Sequence, residues 1–371
     1  MSAAGGEPVE SFNYPSRLAR LREILSASGL QALLVSDQHN IRYLSGFRGS
    51  SGALLITAEE QILFSDFRYR LQAAEQALIF HFQEVKRDPL PSIGEYVREK
   101  GLKTAGFEAH ALTVEQLSSL RRASRGVGWR RAKQVVETLR QVKHSQEIAE
   151  IARAAKITDD TLEHILSSLA PGRTEHEIAL EGTIFMMKHG AKASAFDVIV
   201  ASGPRAALPH AESSNRTLER GDLVILDLGA RLPSGYCSDL TRTVAVGRAQ
   251  DWQRELYSLV YEAQAKALDG LRAGVRARKI DAAARGHITA AGHGGEFGHG
   301  LGHGVGLDVH EAPRLAEAEK TMLRAGMVVT VEPGVYLSER GGVRIEDLVV
   351  IGQGGCKILS HAPKPAELPV L

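Results

Sequence analysis

Apolar positions along the chain follow two different periods, and together they predict an alternation of helices and strands. Apolar side chains three or four positions apart predict helices, the first over Tyr14–Ala27 with Gly29 as its stop. Short apolar runs bounded by Gly, Ser and Asn, such as Ala32–Val35, predict strands. The first ~130 residues therefore predict an α/β domain with a central sheet. Its other expected elements are strands at residues 53–57, 61–65, 79–85 and 104–107, and helices at residues 69–76, 93–99 and 114–123.

The second part of the chain begins with a charged stretch and a long helix. Residues 130–142 are charged and predict the boundary between an N-terminal domain, residues 12–135, and a larger domain, residues 136–371. Ser145 is the predicted N-cap of the helix that follows. Glu147 then lies in the first turn, where a negative charge is favourable.

Beyond this helix the pattern changes to short strands with three further helices. Pro171 and the glycine after it end the long helix, and Thr174 with Glu177 forms a capping box for the next one. Residues 233–235 are a turn signal, so the strands on either side should form a hairpin. We predict an α+β domain whose helices cover a strongly bent antiparallel sheet. Its expected elements are strands at residues 197–201, 223–230, 236–246, 327–331, 343–351 and 357–359, and helices at residues 252–271 and 278–291.

The composition is that of an ordinary globular protein and indicates no particular binding partner. The chain has 371 residues, of which 43% are hydrophobic and 24% charged, and its formal net charge is +1. Basic residues cluster within residues 121–133, but Trp129 is the one aromatic there, so we interpret a solvated helix end and linker rather than a nucleic-acid surface. The two cysteines cannot form a disulfide framework, which suits a reducing compartment. Neither a signal peptide nor an apolar run of ~20 residues is apparent, so we expect a cytoplasmic protein without nucleic-acid or membrane partners.

Residues of metal-ligand type recur in the second half of the chain, in apolar or glycine-rich surroundings. Burying four carboxylates together is prohibitive unless cations neutralise them or some are protonated. Two divalent ions would neutralise them, and such a pair can activate water. Taken singly, each acid could instead belong to a buried ion pair, for which Arg344 is the obvious partner of Glu332 or Glu346. The set is Asp227, Asp239, His303, Glu332 and Glu346.

Histidines and glycines alternate between His299 and His310. Histidines four apart would suit a zinc site on a helix, but the four glycines at alternate positions of residues 300–306 oppose a helix by ~1 kcal/mol each. We therefore predict extended chain or loop, where glycine permits close approach to a ligand and the histidines take different roles. His210 stands apart on a predicted loop, where a histidine alone is usually a surface residue.

Five ordered segments of the second domain resemble the "pita-bread" metallopeptidases, which include aminopeptidase P, prolidase and methionine aminopeptidase. The first domain resembles the N-terminal domain of the proline-specific branch, most clearly from Asn40 to Phe47. The resemblance covers essentially the whole chain and implies cleavage of Xaa-Pro bonds. The five segments are Ile225-Leu-Asp-Leu-Gly, Ser238-Asp-Leu-Thr-Arg-Thr, Gly302-His-Gly-Val-Gly-Leu-Asp-Val-His-Glu, Thr330-Val-Glu-Pro-Gly and Arg344-Ile-Glu-Asp.

The resemblance also implies roles for individual residues. It makes the five residues above ligands of two divalent ions, manganese or alternatively cobalt or zinc, with a metal-bridging water as nucleophile. Glu332 would also be the general base. Asp227 and Asp239 are 12 positions apart, one more than is usual in the family, and a shifted strand register would damage the site. The residues that would contact substrate are His210, His299, His310, Tyr336 and Arg344, and His210 and His310 would join Glu332 in catalysis.

Several activities are compatible with this resemblance. We expect an aminopeptidase P that acts as a homodimer on peptides with proline at the second position. Residues 304–313 resemble the compact bacterial aminopeptidases P. A prolidase restricted to dipeptides is the alternative, and it would need an arginine for the free carboxylate, with Arg314 and Arg340 as candidates. A non-catalytic binding module and a metal-free, creatinase-type hydrolase are disfavoured because all five ligand residues are present.

Overall fold

The computed structural model describes residues 12–371 and consists of two compact units, the first ending at Arg140 and the second beginning at Gln141. The sequence predicts a disordered lead over residues 1–11, which lie outside the described residues. The boundary between the two compact units falls within the charged stretch. The domain limits 12–135 and 136–371 remain a prediction.

The first unit is an α/β domain built on one mixed sheet of six strands, as predicted. The strand order is β4-β3-β2-β1-β5-β6, with β2 antiparallel to both β1 and β3 and the other pairs parallel. The central strand β1 is buried along its whole length, which explains its unbroken apolar run. The helices are α1 Tyr14–Ala27, α2 Gln38–Ser45, α3 Arg70–Gln76, α4 Pro89–Glu99, α5 Val114–Ala123 and α6 Val135–Arg140; the strands are β1 Ala32–Val35, β2 Ala53–Thr57, β3 Gln61–Ser65, β4 His81–Glu84, β5 Thr104–Phe107 and β6 Gly128–Arg131.

Two short elements of the first unit differ from the prediction. Helix α2 was not predicted; the Asp37 side chain caps it by accepting a hydrogen bond from the Asn40 backbone N–H at 2.9 Å. Part of the basic cluster is strand β6, so its interpretation as a helix end and linker is wrong for residues 128–131. Parallel pairing with β5 and burial of Trp129 stabilise this strand, while Arg130 points to solvent.

The second unit is an α+β domain, and every pairing between its strands is antiparallel. The larger sheets have the orders β11-β9-β8 and β13-β12-β14-β17-β18, and two further pairs are β10-β7 and β15-β16. The helices are α7 Ser145–Ser168, α8 Glu175–Lys188, α9 Asp251–Gly270 and α10 Ala277–Ala290; the strands are β7 Ala193–Ser194, β8 Ile199–Ser202, β9 Leu223–Leu228, β10 Ala230–Arg231, β11 Leu240–Ala245, β12 Gly302–Gly304, β13 Glu311–Leu315, β14 Val328–Val331, β15 Gly334–Leu337, β16 Gly341–Arg344, β17 Asp347–Ile351 and β18 Cys356–Ile358.

Local signals in the second unit are largely confirmed. Strands β9 and β11 form the predicted antiparallel pair, and the capping box of Thr174 and Glu177 is present. The N-cap of α7 is His144 rather than Ser145, because the Glu147 side chain accepts a hydrogen bond from the His144 backbone N–H at 3.0 Å. The strand predicted over residues 343–351 is interrupted before Asp347, which separates β16 from β17.

Apolar side chains of the helices pack on the sheets of the second unit in two clusters. One joins α9 and α10 to β14 and β17, and the other joins α7 and α8 to β8, β9 and β11. Such burial of one helix face against a sheet is the main source of stability in a layered domain. Within residues 12–371, no helix has both the length and the apolar character required to cross a bilayer. Cys237 and Cys356 are free thiols.

Candidate metal centre

Strands and strand ends of the second unit bring three of the five predicted ligands into one group. One ligand atom from each of Asp239, His303 and Glu346 lies within 4.8 Å of the others. Glu332 adjoins them, since its Oε1 is 3.2 Å from His303 Nε2, which is 3.6 Å from Asp239 Oδ2. Asp227 lies in β9, Asp239 immediately before β11, His303 in β12, Glu332 immediately after β14, and Glu346 between β16 and β17.

Asp227, the fifth predicted ligand, is held by an arginine. Its Oδ2 accepts a hydrogen bond from Arg344 Nη2 at 2.6 Å. The alternative of an ion pair between Arg344 and Glu332 or Glu346 is not the pairing that the structure has, because the guanidinium faces strand β9 and contacts Asp227. The extra residue between Asp227 and Asp239 leaves the strands paired, with Thr241 opposite Asp227.

Two threonines orient the glutamates of the site. Thr241 Oγ1 donates to Glu346 Oε2 at 2.8 Å, and Thr330 Oγ1 donates to Glu332 Oε1 at 3.1 Å. Thr330 Oγ1 also accepts from the His303 backbone N–H at 3.0 Å. Both threonines were missed from the sequence, although each lies two positions from an acid, Thr241 from Asp239 and Thr330 from Glu332. Side chains two apart point to the same face, so that spacing could have identified them.

Oxygen atoms remain unpartnered at the centre of this group. Asp227 Oδ1 and Glu346 Oε1 are buried and form no hydrogen bond to any residue that the structure describes. Buried acceptors without a donor are rare, and each one calls for a missing partner. The open oxygens point to an ion that the carboxylates would share.

The pKa values of the acids in this group reflect their burial and their mutual repulsion. Burial, and then the charges of Glu346 and Asp227, raise the pKa of Asp239 well above its usual range. Burial, and then Glu332 and Asp227, do the same for the pKa of Glu346. Burial opposes ionisation of Glu332 as well, but its hydrogen bond with His303 lowers its pKa to about 2. A divalent cation would remove this repulsion, and carboxylate oxygens with one imidazole are a donor set that suits such ions.

His303 is oriented with one ring nitrogen towards the acids. Its Nδ1 lies 3.1 Å from the Gly304 carbonyl oxygen, which can only accept a hydrogen bond. Nδ1 is therefore the donor, and Nε2 is the atom that faces Glu332 and Asp239. Backbone carbonyls fix metal-binding histidines in this way. Burial lowers the pKa of His303, but its hydrogen bond and charge interaction with Glu332 give a net increase.

A second chain of polar contacts begins at Arg344. Its Nη1 donates to the Tyr336 hydroxyl at 2.9 Å, and that hydroxyl lies 2.9 Å from His299 Nε2. The Gly300 carbonyl, 2.8 Å from His299 Nδ1, requires Nδ1 to be the donor, so the tyrosine hydroxyl donates to Nε2. Burial lowers the pKa of His299, which favours the neutral ring that this arrangement needs.

The other two predicted substrate histidines lie at the exposed side of the group. The His310 ring centroid is 4.3 Å from that of His303. His210 is exposed in a turn whose preceding residue, Pro209, accepts a hydrogen bond from Arg344 Nη1 at 3.2 Å. Burial, followed by His303, lowers the pKa of His310. His310 is thus adjacent to His303, and His210 adjoins the backbone that Arg344 contacts; within the described residues neither ring forms an ion pair with the acids.

The glycine-rich segment is mostly loop, with the short strand β12 in it, as predicted. Its glycines permit close approach to neighbouring strands rather than to a ligand. A Cβ at Gly302 would lie 2.2 Å from the Thr330 carbonyl oxygen, and one at Gly304 would lie 2.5 Å from the Ala312 carbonyl oxygen. Any side chain at these positions would push β12 away from the strands that flank His303.

Comparisons with known proteins agree with this geometry. The chain is 41% identical to the Xaa-Pro dipeptidase structure from Bacillus anthracis, covering 97% of this chain and 100% of that one, with a TM-score of 0.94. It is 36% identical to the X-Pro aminopeptidase structure from Thermotoga maritima, covering 96% and 100%, with a TM-score of 0.87. It is 37% identical to the Xaa-Pro dipeptidase of Pyrococcus horikoshii, covering 94% of this chain and 97% of the relative.

Family models match both units. The model of the creatinase/prolidase N-terminal domain matches residues 17–142, and that of metallopeptidase family M24 matches residues 149–353. These matches and the similar structures confirm the expected pita-bread class, and the family implies divalent metal ions at the carboxylate and histidine group. The chain belongs to metallopeptidase family M24.

Proposed function

We propose that this protein is an aminopeptidase P, a dinuclear metallo-exopeptidase that hydrolyses the Xaa-Pro bond at the free N-terminus of peptides. The observation that carries the proposal is the group of three buried acids and the half-buried Glu332, with two unpartnered oxygens, Asp227 Oδ1 and Glu346 Oε1. Asp227, Asp239, His303, Glu332 and Glu346 would hold the ions. Two divalent ions, when bound, supply an activated water and polarise the scissile carbonyl.

Glu332 is the residue that we assign as general base. Its Oε1 is positioned by both Thr330 Oγ1 and His303. An ionised, fixed carboxylate can accept the proton that the nucleophilic water loses, and can then return it to the departing amine. Manganese is the ion that we propose, with cobalt or zinc as alternatives.

We assign His210 and His310 to the substrate. The nitrogen of the scissile bond is tertiary when proline follows, so a donor can act only on the carbonyl or on the departing proline nitrogen. An imidazole can donate a hydrogen bond to either atom. Tyr336 and His299, joined to Arg344 through the tyrosine hydroxyl, would complete the substrate side.

The first experiment tests the metal requirement. Protein loaded with manganese should contain about two ions per chain by elemental analysis, because one ion would leave part of the carboxylate repulsion in place. Exhaustive chelation should abolish turnover, and added manganese should restore it. Full activity of the chelated protein would contradict the proposal.

A prolidase restricted to dipeptides is the second candidate, and Arg314 favours it. Arg314 lies directly opposite His303 in the pairing of β12 with β13, and paired residues project to the same face of a sheet. An arginine there could bind the free carboxylate of a terminal proline. The relatives bear both names, Xaa-Pro dipeptidase and X-Pro aminopeptidase.

Comparing a dipeptide with a tripeptide separates the two candidates. An aminopeptidase P should cleave Xaa-Pro-Yaa at least as well as Xaa-Pro, and Arg314→Ala should then change KM little. In a prolidase, the tripeptide should be resistant and Arg314→Ala should raise KM for the dipeptide. Arg340→Ala is the matched control, because the Arg340 guanidinium stacks over Trp252, 4.4 Å from the ring centroid. The expected homodimer and cytoplasmic location remain predictions, and sedimentation would test the first.

A further inference from the structure

We infer that Gln264, a buried residue of helix α9, is a positioning residue for the metal centre, an inference that rests on the proposed function. Its side chain is 0% exposed and touches none of the ions' proposed ligand atoms. Gln264 Nε2 donates to the Val331 carbonyl oxygen at 2.9 Å and to the Ile345 carbonyl oxygen at 3.2 Å. These two carbonyls belong to the residues immediately before Glu332 and Glu346.

One amide group therefore links the two chain segments that carry the glutamate ligands. Both segments lie at strand ends: Glu332 follows β14, and Glu346 occupies the interruption between β16 and β17. The backbone N–H groups of both glutamates are also held: Glu332 donates to the Leu301 carbonyl oxygen at 2.8 Å, and Glu346 donates to the Thr241 carbonyl oxygen at 3.1 Å. An amide nitrogen has two hydrogens in a rigid plane, so using both fixes the spacing of the two carbonyls. Gln264 thereby adds a side-chain link between the two glutamate segments, beside these backbone contacts.

The orientation of this amide is itself fixed by charged neighbours. Lys364 Nζ donates to Gln264 Oε1 at 2.6 Å and also to Asp347 Oδ2. The amide cannot turn over, because its NH2 group would then face the lysine ammonium while its oxygen faced two carbonyls. Lys364 thus holds Gln264 in the one orientation that serves both glutamate segments.

Arg242 extends this buried network to a third ligand segment. It donates to Asp347 Oδ1 at 2.8 Å and to the Glu346 carbonyl oxygen, and it lies in β11, the strand that begins directly after Asp239. The same guanidinium donates to the Ala362 carbonyl at 2.9 Å. We call Arg242, Gln264, Asp347 and Lys364 the polar brace. Its members lie outside the ligand set, yet they connect the backbones next to Asp239, Glu332 and Glu346.

A matched pair of glutamines in helix α9 tests the inference. Gln264→Met keeps the side-chain volume and removes both N–H donors. Gln253→Met does the same to a residue that is 3% exposed in the same helix, where it donates to the Gly221 carbonyl at 2.8 Å. Manganese affinity is measured by calorimetry, the spectrum of the bound pair by electron paramagnetic resonance, and the unfolding temperature on the chelated proteins.

Loss of groups that orient metal ligands weakens metal binding ~10- to 100-fold. We expect that loss in Gln264→Met, together with an altered coupling between the two manganese ions, whereas Gln253→Met should keep wild-type affinity and spectrum. Equal manganese binding by wild type and Gln264→Met would overturn the inference, as would equal weakening in both variants. If wild-type protein binds no manganese, the proposed function fails first.

Lys364→Met supplies a second variant if Gln264→Met does not fold. It leaves Gln264 in place and leaves Asp347 paired with Arg242, but it frees the amide to turn. We expect a smaller loss of manganese affinity than in Gln264→Met, and an unfolding temperature of the chelated protein close to that of wild type. Unchanged manganese affinity in Lys364→Met would overturn the inference.

Discussion

Each unit buries acidic side chains, but the two sets have different surroundings. In the first unit Glu108 is 3% exposed, and its Oε2 accepts from the backbone N–H groups of Ser36 and Asp37 at 2.7 and 2.8 Å. Its Oε1 accepts from Asn40 Nδ2 at 2.7 Å. In the second unit the buried oxygens Asp227 Oδ1 and Glu346 Oε1 accept from nothing within the described residues.

Burial alone therefore does not mark a metal ligand. Burial raises the pKa of Glu108 to about 7, so a raised pKa does not distinguish the two regions either. One buried oxygen of Glu137, in the first unit, also lacks a hydrogen bond. The two regions differ in whether several ligand atoms lie close together. In the part of the chain that the structure describes, only Asp239, His303 and Glu346 offer three ligand atoms close enough for one ion. Open oxygens and convergence together identify the centre.

The largest effect is expected at Glu332. Glu332→Gln keeps the shape of the side chain but cannot accept the proton of the nucleophilic water. Turnover should fall on the order of 10²–10⁴-fold. Steady-state kinetics with saturating manganese measure it, and Glu317→Gln, which changes an exposed glutamate, is the control. A Glu332→Gln protein with most of its turnover would place the base elsewhere.

Glu108 should control the pH dependence of stability in the first unit. Because burial raises its pKa from 4.5 to about 7, the folded state binds its proton more tightly than the unfolded state does. The protonated Glu108 side chain therefore contributes to the free energy of unfolding. This contribution is complete below about pH 4.5 and is lost as the pH rises to about 7 and beyond. Relative to Glu108→Gln, wild type should lose on the order of 2–3 kcal/mol of unfolding free energy over that range.

Calorimetric unfolding of the full chain across this pH range measures the difference. Glu95→Gln, which removes an exposed carboxyl of α4, is the matched control. A difference between wild type and Glu108→Gln that does not change with pH would mean that the three donors around Glu108 outweigh its burial. The contrast between the two regions would then be larger than we infer.

Substitution of His210 or His310 tests whether these exposed histidines bind metal or only lie beside the metal ligands. His310→Ala or His210→Ala should lower turnover about 10- to 100-fold, because each removes a donor to the substrate. Manganese content should stay near two ions per chain, since neither ring is held by the acids. Elemental analysis beside kinetics checks both. Loss of metal in either variant would make that histidine part of the centre.

The smallest expected effect is a gain of stability at Glu346. Burial and neighbouring acids raise its pKa, so its ionisation costs stability at pH values above the ordinary range of a glutamate. Glu346→Gln should therefore stabilise the chelated protein near neutral pH by about 1 kcal/mol, or ~2–4 °C in Tm. Glu255→Gln, on the exposed face of α9, should leave Tm unchanged. Destabilisation of chelated Glu346→Gln would show that the acids are not strained without metal.

Much of the fold could be predicted from the local pattern of apolar and polar residues. The apolar run Ala32–Val35 and the helix Tyr14–Ala27 match the structure residue for residue, because burial of one face or both leaves a clear period in the sequence. Helix α2 was missed because eight residues carry too few periods. Strand β6 was missed because pairing with β5, rather than its own composition, makes it a strand.

The candidate centre was predictable in its residue types but not in its pairings. Acids within apolar strands indicated ligands, since a buried carboxylate needs a cation or hydrogen-bond donors and several such acids occur in one domain. That Arg344 contacts Asp227 depends on which strands face each other, and no local pattern encodes this. Gln264 could not be found at all, because a glutamine in an amphipathic helix gives no sign that it reaches two distant carbonyls.

The contacts of Arg242 have a consequence for how the protein is made. Its guanidinium binds the carbonyls of Ala362 and Pro363, more than one hundred positions further along the chain. A nascent polypeptide can form the hairpin of β9 and β11 early, since its strands are close in sequence. The support beneath the acids can close only after residues 362–364 have been synthesised. Until then the backbones next to Asp239 and Glu346 lack the contacts that join them to residues 362–364, so the support of the candidate centre forms after the hairpin of β9 and β11.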